Sequence, residues 1–408
     1  MKPVYKSRKL AHVSYDIRGP VMQQAQRMED AGQKIIKLNI GNVGAFAFDA
    51  PADIQRSMIE HLGEAAAYSD SKGVIVAREA IARYAAEKHI KGVGLNDIYI
   101  GNGVSELIVM CMNGLLNSGD EVLVPAPDYP LWTAAVCLSG GTARHYLCDE
   151  KSDWMPDVAD IRAKITPNTR AIVIINPNNP TGALYPESVL REIVAIAREF
   201  GLIIFADEVY DKVLYDGVQH VSIASLSDDV LTFTFNGLSK NYRACGYRAG
   251  WVVISGDKSS ATDYIEGLEM LASMRLCSNV PAQYGIKAAL DGYQSINDLV
   301  APSGRLCRQR DLAHQMVTSI PGVTCVKPKA TMYMFPRLDP EMYPIKDDQD
   351  FVIEFLREQQ VLVVQGSGFN WPGTDHFRLV FLPQEEMLHD AISRLACFLE
   401  GYRKRHGT

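Results

Sequence analysis

Residues 170–182 read RAIVIINPNNPTG, and residues 202–210 read LIIFADEVY. Each stretch begins with a short, uninterrupted apolar run, which is typical of a strand buried on both faces of a sheet. Between them, residues 187–200 repeat apolar side chains at helical spacing and end at Gly201, a common helix terminator. Strand, helix and strand in this order predict a mostly parallel α/β sheet.

The same alternation continues on both sides of this unit. Further short strands are predicted at 98–100, 121–124, 143–147, 231–235 and 248–254. After about residue 290 the order becomes mixed, with helix 306–319, strands 323–326 and 331–335, helix 351–359, strands 361–365 and 377–381, and helix 385–402. The N-terminal segment adds a helix at 21–31 and a strand at 37–40. We therefore predict a large sheet domain over 49–295 and a smaller α+β domain built from 1–48 and 296–408, with a ligand cleft between them.

The composition excludes several classes of protein. The 408-residue chain carries a net charge of −7 and no block of basic residues, which argues against a nucleic-acid or anionic-membrane partner. No apolar run reaches the length of about 18 residues that a membrane helix requires, and the first residues lack the apolar segment of a signal peptide. The eight cysteines show neither a C-x-x-C pair nor zinc-binding spacing. We expect a soluble, cytoplasmic protein with reduced thiols and no metal site.

Four motifs each lie at an end of a predicted strand, and ligand sites in open α/β sheets collect at the carboxyl ends of the strands. They are N-P-N-N-P-T-G at 176–182, A-D-E-V-Y at 206–210, S-K at 239–240 and G-Y-R-A-G at 246–250. Each alone is ambiguous, since a turn, a helix cap or a solvated lysine would explain it. A carboxylate directly after a buried strand, however, is costly without a cationic partner or hydrogen bonds. Glycines on both sides of an arginine also let its guanidinium approach an oxyanion.

The order and spacing of these motifs resemble those of class I aminotransferases of the pyridoxal-phosphate (PLP) fold type I. More narrowly, the chain is similar to the bacterial glutamate–pyruvate (alanine) aminotransferases. The resemblance covers nearly the whole chain and includes YDIRGP at 15–20, YSDSKG at 68–73, IYIGNGVSELI at 98–108, LVPAPDYPLW at 123–132, GLEMLASMRL at 267–276 and VQGSGFNWP at 364–372. It implies the two-domain α/β fold of that type, PLP as the cofactor, and L-amino acids and 2-oxo acids as the substrates.

The resemblance also implies roles for the residues around the cofactor ring. Lys240 is expected to hold PLP as a Schiff base and to act as nucleophile and base. Asp207 is expected to keep the pyridine nitrogen protonated, which makes the ring an electron sink. Asn179 and Tyr210 are implied to hydrogen-bond the phenolic oxygen of the ring, and Tyr129 to stack on its face.

A second group of residues is implied to bind the phosphate of the cofactor. Its members are Gly103, Val104, Ser105 and Arg248, and Ser239 is implied to be a further cofactor-binding residue. The first three open a predicted helix, whose free N–H groups and dipole favour an anion. Tyr68 resembles a residue that reaches the phosphate from the neighbouring subunit, which implies a homodimer with shared active sites.

The substrate site follows from the resemblance as well. Arg378 resembles the arginine that binds the substrate α-carboxylate, for which a planar guanidinium allows a bidentate contact. Asn179, Gly41 and Tyr15 are implied to line the same site. An alanine enzyme must also accept the γ-carboxylate of glutamate in its other half-reaction, so it needs a positive group that can engage or withdraw. Arg18, in a segment expected to cover the cleft, is our candidate for that group.

Two segments depart from the family pattern, and both are expected to line the substrate cleft. The segment Gly41-Asn42-Val43-Gly44 has Val43 where the family usually has a proline, and Ala330-Thr331-Met332-Tyr333 stands where small residues such as Gly-Ala usually precede the late strand. Alternatives therefore stay open: an aromatic or branched-chain aminotransferase, or a PLP-dependent C–S lyase on the same scaffold. A PLP-binding regulator and a metabolite-binding protein without PLP are the alternatives from other classes.

We predict that Arg18→Ala weakens the binding of glutamate and 2-oxoglutarate far more than that of alanine, because only the first two carry a second carboxylate. Steady-state KM values for the three substrates measure this difference. Equal losses for all three substrates would contradict the assignment of Arg18.

Overall fold

The computed structural model describes residues 3–7, 9–10, 13 and 19–406. The strands of this part are β1 (Ile36–Lys37), β2 (Ile98–Gly101), β3 (Glu121–Ala126), β4 (Thr142–Asp149), β5 (Met155–Pro156), β6 (Thr169–Ile175), β7 (Ile203–Asp207), β8 (Thr232–Gly237), β9 (Gly250–Ser255), β10 (Val323–Thr324), β11 (Tyr333–Met334), β12 (Arg337–Leu338), β13 (Val361–Leu362), β14 (Val364–Gln365) and β15 (Phe377–Val380). Its α-helices are α1 (Pro20–Asp30), α2 (Ala52–Glu60), α3 (Ile75–Glu87), α4 (Val104–Leu115), α5 (Leu131–Leu138), α6 (Val158–Lys164), α7 (Glu187–Phe200), α8 (Thr262–Met274), α9 (Val280–Asp291), α10 (Ile296–Val300), α11 (Arg305–Thr318), α12 (Asp348–Gln359) and α13 (Glu385–His406). Among the described residues, none of these helices is both long and apolar enough to cross a membrane.

A sheet of eight strands in the order β2-β9-β8-β7-β6-β3-β4-β5 forms the centre of the fold. The five neighbouring strands from β8 to β4 run parallel, whereas β9 and β5 run antiparallel to their neighbours. The structure thus confirms the predicted α/β class with a large, mostly parallel sheet. Ile175 on β6 pairs with Asp207 on β7, and Asp207 pairs with Phe235 on β8. The three strands therefore end at nearly the same level of the sheet.

Hydrophobic side chains cover both faces of the sheet, which explains why its strands read as uninterrupted apolar runs. Val173 and Phe205 join the hydrophobic cluster on one face, and Ile172 and Ile204 join the cluster on the other. All four side chains are fully buried, and burial of a side chain of this size contributes about 1.5–3 kcal/mol. The strands are thereby fixed between two apolar layers, and the residues just beyond the strand ends are left to face a ligand.

A separate hydrophobic cluster joins the two ends of the chain. It contains Val21 and Val43 from the N-terminal part and Phe351, Phe381 and Leu395 from the C-terminal part. Parallel pairing of β1 with β13 adds a backbone link between the same parts. Both chain ends therefore share one core, while the domain boundaries expected at residues 48 and 295 stay predictions.

Two predicted strands differ from the observed ones in extent. The strand expected at 37–40 is limited to β1, which pairs with only the two residues of β13. The single strand expected at 361–365 is instead two strands, because β13 pairs with β1 whereas β14 pairs antiparallel with β15. A change of pairing partner within five residues depends on tertiary contacts, which the local apolar pattern does not contain.

Candidate active site

A cavity of about 170 Å³ opens where β6, β7 and β8 end. The last residues of these strands, Ile175, Asp207 and Gly237, all line it. Its lining also contains eight other predicted or implied site residues, namely Val104, Ser105, Tyr129, Asn179, Tyr210, Ser239, Lys240 and Arg248. Motifs that follow separate strands therefore converge on one cavity.

Asp207 is buried at the end of β7. Its carboxylate accepts a hydrogen bond from the indole Nε1 of Trp132 (3.1 Å) and a longer one from the backbone N of Val209 (3.4 Å). Burial raises the pKa of Asp207 to about 6, although Trp132, Val209 and the nearby Lys240 act in the opposite direction. A desolvated carboxylate of this kind is stabilised most by a cationic or protonated partner in the cavity.

Lys240 lies in the turn that follows β8 and is half-buried. Its Nζ donates a hydrogen bond to the backbone carbonyl of Gly41 at 3.0 Å. The next residue, Asn241, is buried and donates from its side-chain amide to the carboxylate of Asp211 at 2.6 Å. The Asn241–Asp211 hydrogen bond thus fixes the turn, while the Lys240 amine lies in the cavity beside the neutral carbonyl of Gly41.

Two tyrosine hydroxyls form a buried pair in the cavity. The hydroxyl of Tyr210 donates to the hydroxyl of Tyr333 at 2.8 Å. Burial raises the pKa of Tyr210, and its neighbour Tyr333 adds to that effect. Burial also acts to raise the pKa of Tyr333, but the positive charges of Lys240 and Arg378 and the hydrogen bond from Tyr210 bring it below its ordinary value.

Arg378 on β15 is buried next to Asn179. Its guanidinium donates to the side-chain oxygen of Asn179 at 3.0 Å and to the backbone carbonyl of Asn39. Its central carbon lies 4.3 Å from the ring centroid of Tyr333 and 4.4 Å from that of Phe369. Aromatic faces stabilise a guanidinium without removing its charge, so Arg378 is suited to bind a carboxylate.

The start of α4 forms a cradle for an anion. Gly103 precedes the helix with a φ of 82°, and a β-carbon there would lie 2.2 Å from the guanidinium of Arg248. Arg248 donates to the hydroxyl of Ser105 at 3.3 Å. A β-carbon at Gly250 would come within 2.6 Å of the backbone N of Val104. Helix N–H groups, a hydroxyl and a guanidinium at one point match the chemistry of a phosphate.

The remaining predicted residues occupy separate places. Gly41 reaches the site through its hydrogen bond with Lys240. Tyr68 is 78% exposed and is not part of the cavity lining in the single chain. Tyr15 and Arg18 fall outside the described residues.

Cys245 and Trp132 were missed from the sequence, whereas Tyr333 received no role of its own but lies in the segment 330–333 that was expected to line the cleft. Tyr333 and Cys245 line the cavity, and Trp132 donates to Asp207. Trp132 could have been found, since it ends the LVPAPDYPLW motif and a buried indole N–H needs an acceptor. No local pattern marks Tyr333 or Cys245, because the contacts of both depend on segments distant in sequence, such as Asn42 for the Cys245 thiol.

The two departures from the family pattern, Val43 and Thr331, do not line the cavity. Both are buried, Val43 in the cluster that joins the chain ends and Thr331 where its carbonyl accepts a hydrogen bond from Tyr215. The segments 41–44 and 330–333 reach the site through Gly41 and Tyr333, whereas the two departing side chains pack into the core.

Replacement of Asp207 by asparagine should stabilise the cofactor-free protein above about pH 6. Between about pH 4 and 6 the buried carboxyl keeps its proton while the unfolded chain has lost it, so the stability of the wild type falls as pH rises. A pKa change from 3.8 to about 6 corresponds to about 3 kcal/mol, which is the upper limit of the expected gain. Urea unfolding of both cofactor-free proteins from pH 4 to 8 measures it.

Asp120→Asn is the matched control for this experiment. Burial acts to raise the pKa of Asp120, but hydrogen bonds from Asn117 and Arg170 hold it below its ordinary value. Removal of this carboxylate should therefore destabilise the protein most above about pH 4, the opposite sign to Asp207→Asn. A stability difference for Asp207→Asn that does not change with pH would contradict the assigned burial effect.

Comparisons with known proteins agree with this arrangement of motifs. Residues 33–395 match the family model described as aminotransferase class I and II. Over 404 residues the chain is 59% identical to the glutamate-pyruvate aminotransferase AlaA of Escherichia coli strain K12, covering 99% of this chain and 100% of that protein. It is 54% identical to the alanine aminotransferase of Mycobacterium bovis, covering 98% and 93% of the two chains. A crystal structure of an aminotransferase from Escherichia coli matches with a TM-score of 0.97 and 59% identity, over 98% of this chain and 100% of that one. The chain therefore belongs to the class I and II aminotransferases.

Proposed function

We propose that the protein transfers the amino group of L-alanine to 2-oxoglutarate, which gives pyruvate and L-glutamate, with PLP as the cofactor. The observation that carries this proposal is the convergence of Lys240 and Asp207 on one cavity, beside Asn179 with its bound Arg378. The choice of substrates is supported by the relatives named glutamate-pyruvate aminotransferase and alanine aminotransferase, which match over nearly the full chain.

The residues around the cavity fit PLP. Asp207 would pair with the pyridine nitrogen, Tyr210 and Asn179 would bond the phenolic oxygen, and Tyr129 would cover the ring face. The cradle at the start of α4, with Arg248 and Ser239, would hold the phosphate. When bound, PLP supplies an electron sink that weakens the Cα–H bond of the amino acid it carries.

Lys240 is the residue that moves the proton. Its amine is the basic group in the cavity that can take the Cα proton of the amino acid and return a proton during the transfer. Asp207 holds a proton at the ring nitrogen, and a positive partner there would favour the ionised form of this carboxylate. In this proposal Asp207 maintains the electron sink, and Lys240 carries the proton.

Arg378 sets the orientation of the substrate. A bidentate contact with the α-carboxylate would fix the amino acid at one end, and Asn179 would hold both the guanidinium and the cofactor ring. Gly41 adds no side chain to the space beside Lys240. Arg18 completes the proposal as the residue that meets the γ-carboxylate of glutamate, and Tyr15 as a further substrate-binding residue.

The proposal includes a homodimer, supported by large apolar side chains on the surface near α4. Within 59–75 and 270–293 these exposed residues are Ile59, Leu62, Tyr68, Ile75, Met270, Met274, Leu276 and Tyr293. The two segments touch each other, since Arg275 donates to the carbonyl of Ser71 at 3.1 Å and also pairs with Glu106 of α4 at 2.7 Å. An apolar surface of this kind marks a protein interface, and a second copy would bring Tyr68 toward the phosphate cradle.

A cytoplasmic location is also part of the proposal. All eight cysteines are free thiols, and three of them are buried. Free thiols in this number are the state expected in a reducing compartment.

Lys240→Ala should abolish the visible absorbance of the PLP-loaded protein and its trapping by borohydride. It should also lower the transamination rate by about 10³-fold or more. Lys240→Arg is the matched control, because it keeps the positive charge but offers no amine for covalent attachment. Pyruvate formation from alanine and 2-oxoglutarate, together with the spectrum of the loaded protein, measures the effect. Normal turnover by Lys240→Ala would overturn the cofactor assignment.

The wild-type enzyme in the same assay separates the proposed substrates from the alternatives. Alanine with 2-oxoglutarate should give the highest kcat/KM among donors that include phenylalanine, leucine and cystathionine. A higher value for phenylalanine or leucine, or release of a thiol from cystathionine, would replace the alanine assignment while leaving the PLP assignment intact.

The shared site can be tested with mixed dimers of Lys240→Ala and Tyr68→Ala subunits, purified by two different tags. If Tyr68 reaches the partner subunit, each heterodimer regains one complete site and about half of the wild-type activity. The two homodimeric variants are the controls, since each lacks one component in both sites. A heterodimer no more active than the Tyr68→Ala homodimer would show that Tyr68 does not act across the interface.

A further inference from the structure

Tyr333 is the residue at which several parts of the site meet. It lies on β11, is 3% exposed, and lines the cavity. Its hydroxyl accepts the hydrogen bond from Tyr210, and its ring lies under the guanidinium of Arg378. A β-carbon at Gly41 would come within 2.3 Å of the Tyr333 hydroxyl oxygen. One side chain therefore touches the expected ligand of the cofactor oxygen, the expected ligand of the substrate carboxylate, and the backbone that accepts from Lys240.

The charges around Tyr333 act on its hydroxyl in one direction. Burial raises the pKa of a phenol, but Lys240, Arg378 and the hydrogen bond from Tyr210 together bring that of Tyr333 below its ordinary value, with Cys245 opposing them. A phenol whose pKa is lowered is a stronger hydrogen-bond donor to a neighbouring oxygen.

We infer that Tyr333 is a positioning residue with two separable functions: its hydroxyl directs the proton of Tyr210 to the cofactor ring, and its ring holds Arg378 toward the substrate carboxylate. This inference rests on the proposed PLP-dependent function. It adds a residue that none of the four sequence motifs contains.

The first function follows from the hydrogen-bonding capacity of two phenols. Each hydroxyl has one proton to donate and can accept from a neighbour. When the Tyr210 proton turns to the phenolic oxygen of the cofactor, the Tyr333 hydroxyl can rotate and donate to the Tyr210 oxygen in return. A hydroxyl that accepts one hydrogen bond becomes a stronger donor in the next, so Tyr333 strengthens the contact of Tyr210 with the cofactor.

The second function depends on the ring and not on the hydroxyl. The guanidinium carbon of Arg378 lies 4.3 Å from the ring centroid of Tyr333 and 4.4 Å from that of Phe369. The two faces fix the guanidinium and stabilise its charge without using the N–H donors in its plane. Phenylalanine at position 333 would keep this contact, whereas leucine would remove it.

Tyr333→Phe tests the hydroxyl in the PLP-loaded enzyme. Weaker donation from Tyr210 leaves more negative charge on the cofactor's phenolic oxygen, which holds a proton nearby more tightly. The pH midpoint of the visible absorbance band should therefore rise by about half a unit to one unit. The KM for alanine should stay within about twofold of the wild-type value, because the ring contact with Arg378 remains.

Tyr333→Leu tests the ring. Loss of one aromatic face should raise the KM for alanine and for glutamate alike by about tenfold, since both substrates present the same α-carboxylate. Equal KM values for Tyr333→Leu and Tyr333→Phe would overturn the second function.

Tyr215 provides the matched control. It is also buried, donates to the carbonyl of Thr331 at 2.7 Å, and lies 4.5 Å from the guanidinium carbon of Arg310. Tyr215→Phe and Tyr215→Leu should lower stability to a similar degree but leave the pH midpoint and KM unchanged. A midpoint for Tyr333→Phe equal to that of Tyr215→Phe would overturn the first function.

Two further results keep this test decisive. A wild-type enzyme whose visible band does not change with pH would contradict the proposed function itself. A normal wild-type band together with an unchanged pH midpoint in Tyr333→Phe would contradict only the inference about Tyr333. If Tyr333→Phe folds poorly, Gly41→Ala tests the same hydroxyl without changing Tyr333, because the added β-carbon would displace it and should raise the pH midpoint in the same direction. An unchanged midpoint in Gly41→Ala would overturn the first function.

Discussion

The site depends on one buried carboxylate, that of Asp207. It stands at the end of a central strand with parallel neighbours on both sides, so water reaches it poorly and its charged form is disfavoured. The indole N–H of Trp132 offsets part of this cost. What remains is a place in the cavity where a positive group is stabilised, and that place fixes where a pyridinium ring would sit. Lys240 follows the neighbouring strand β8, which brings its amine into the same cavity.

A second layer of buried polar groups holds the turn that carries Lys240. The carboxylate of Asp211 is fully buried and contacts Lys88, Tyr84 and the side chain of Asn241. Burial acts to raise the pKa of Asp211, but the ammonium of Lys88 and these hydrogen bonds bring it well below its ordinary value. Since Asn241 is the residue after Lys240, this network ties the β7 loop to the lysine turn and restricts the positions the amine can take. The loop after β7 and the turn after β8 are thus joined outside the cavity as well as at its lining.

The sequence predicted the parts of the site that lie at strand ends. Both signals there, the apolar run of the strand and the motif that follows it, are local in sequence. Asp207, Lys240 and Asn179 could be placed from the runs that precede them, and the sheet brought all three to one cavity. The environment of Arg378 could not be foreseen, since its partner Asn39 is 339 positions away in sequence. The contacts of Tyr333 could not be predicted for the same reason, because they depend on how the two chain ends pack into one core. Tyr68 is expected to act in a second subunit, so the contacts within one chain do not test its role.

Aromatic rings stabilise the buried guanidinium of Arg378 from its two faces. The rings of Tyr333 and Phe369 lie 4.3 Å and 4.4 Å from its central carbon, whereas its N–H donors point outward in the plane of the group. This solution places a bulky ring against the backbone of Gly41, where even a β-carbon would collide with it. The absence of a side chain at position 41 and the presence of a tyrosine at position 333 are therefore one constraint, imposed by the need to keep a buried guanidinium charged.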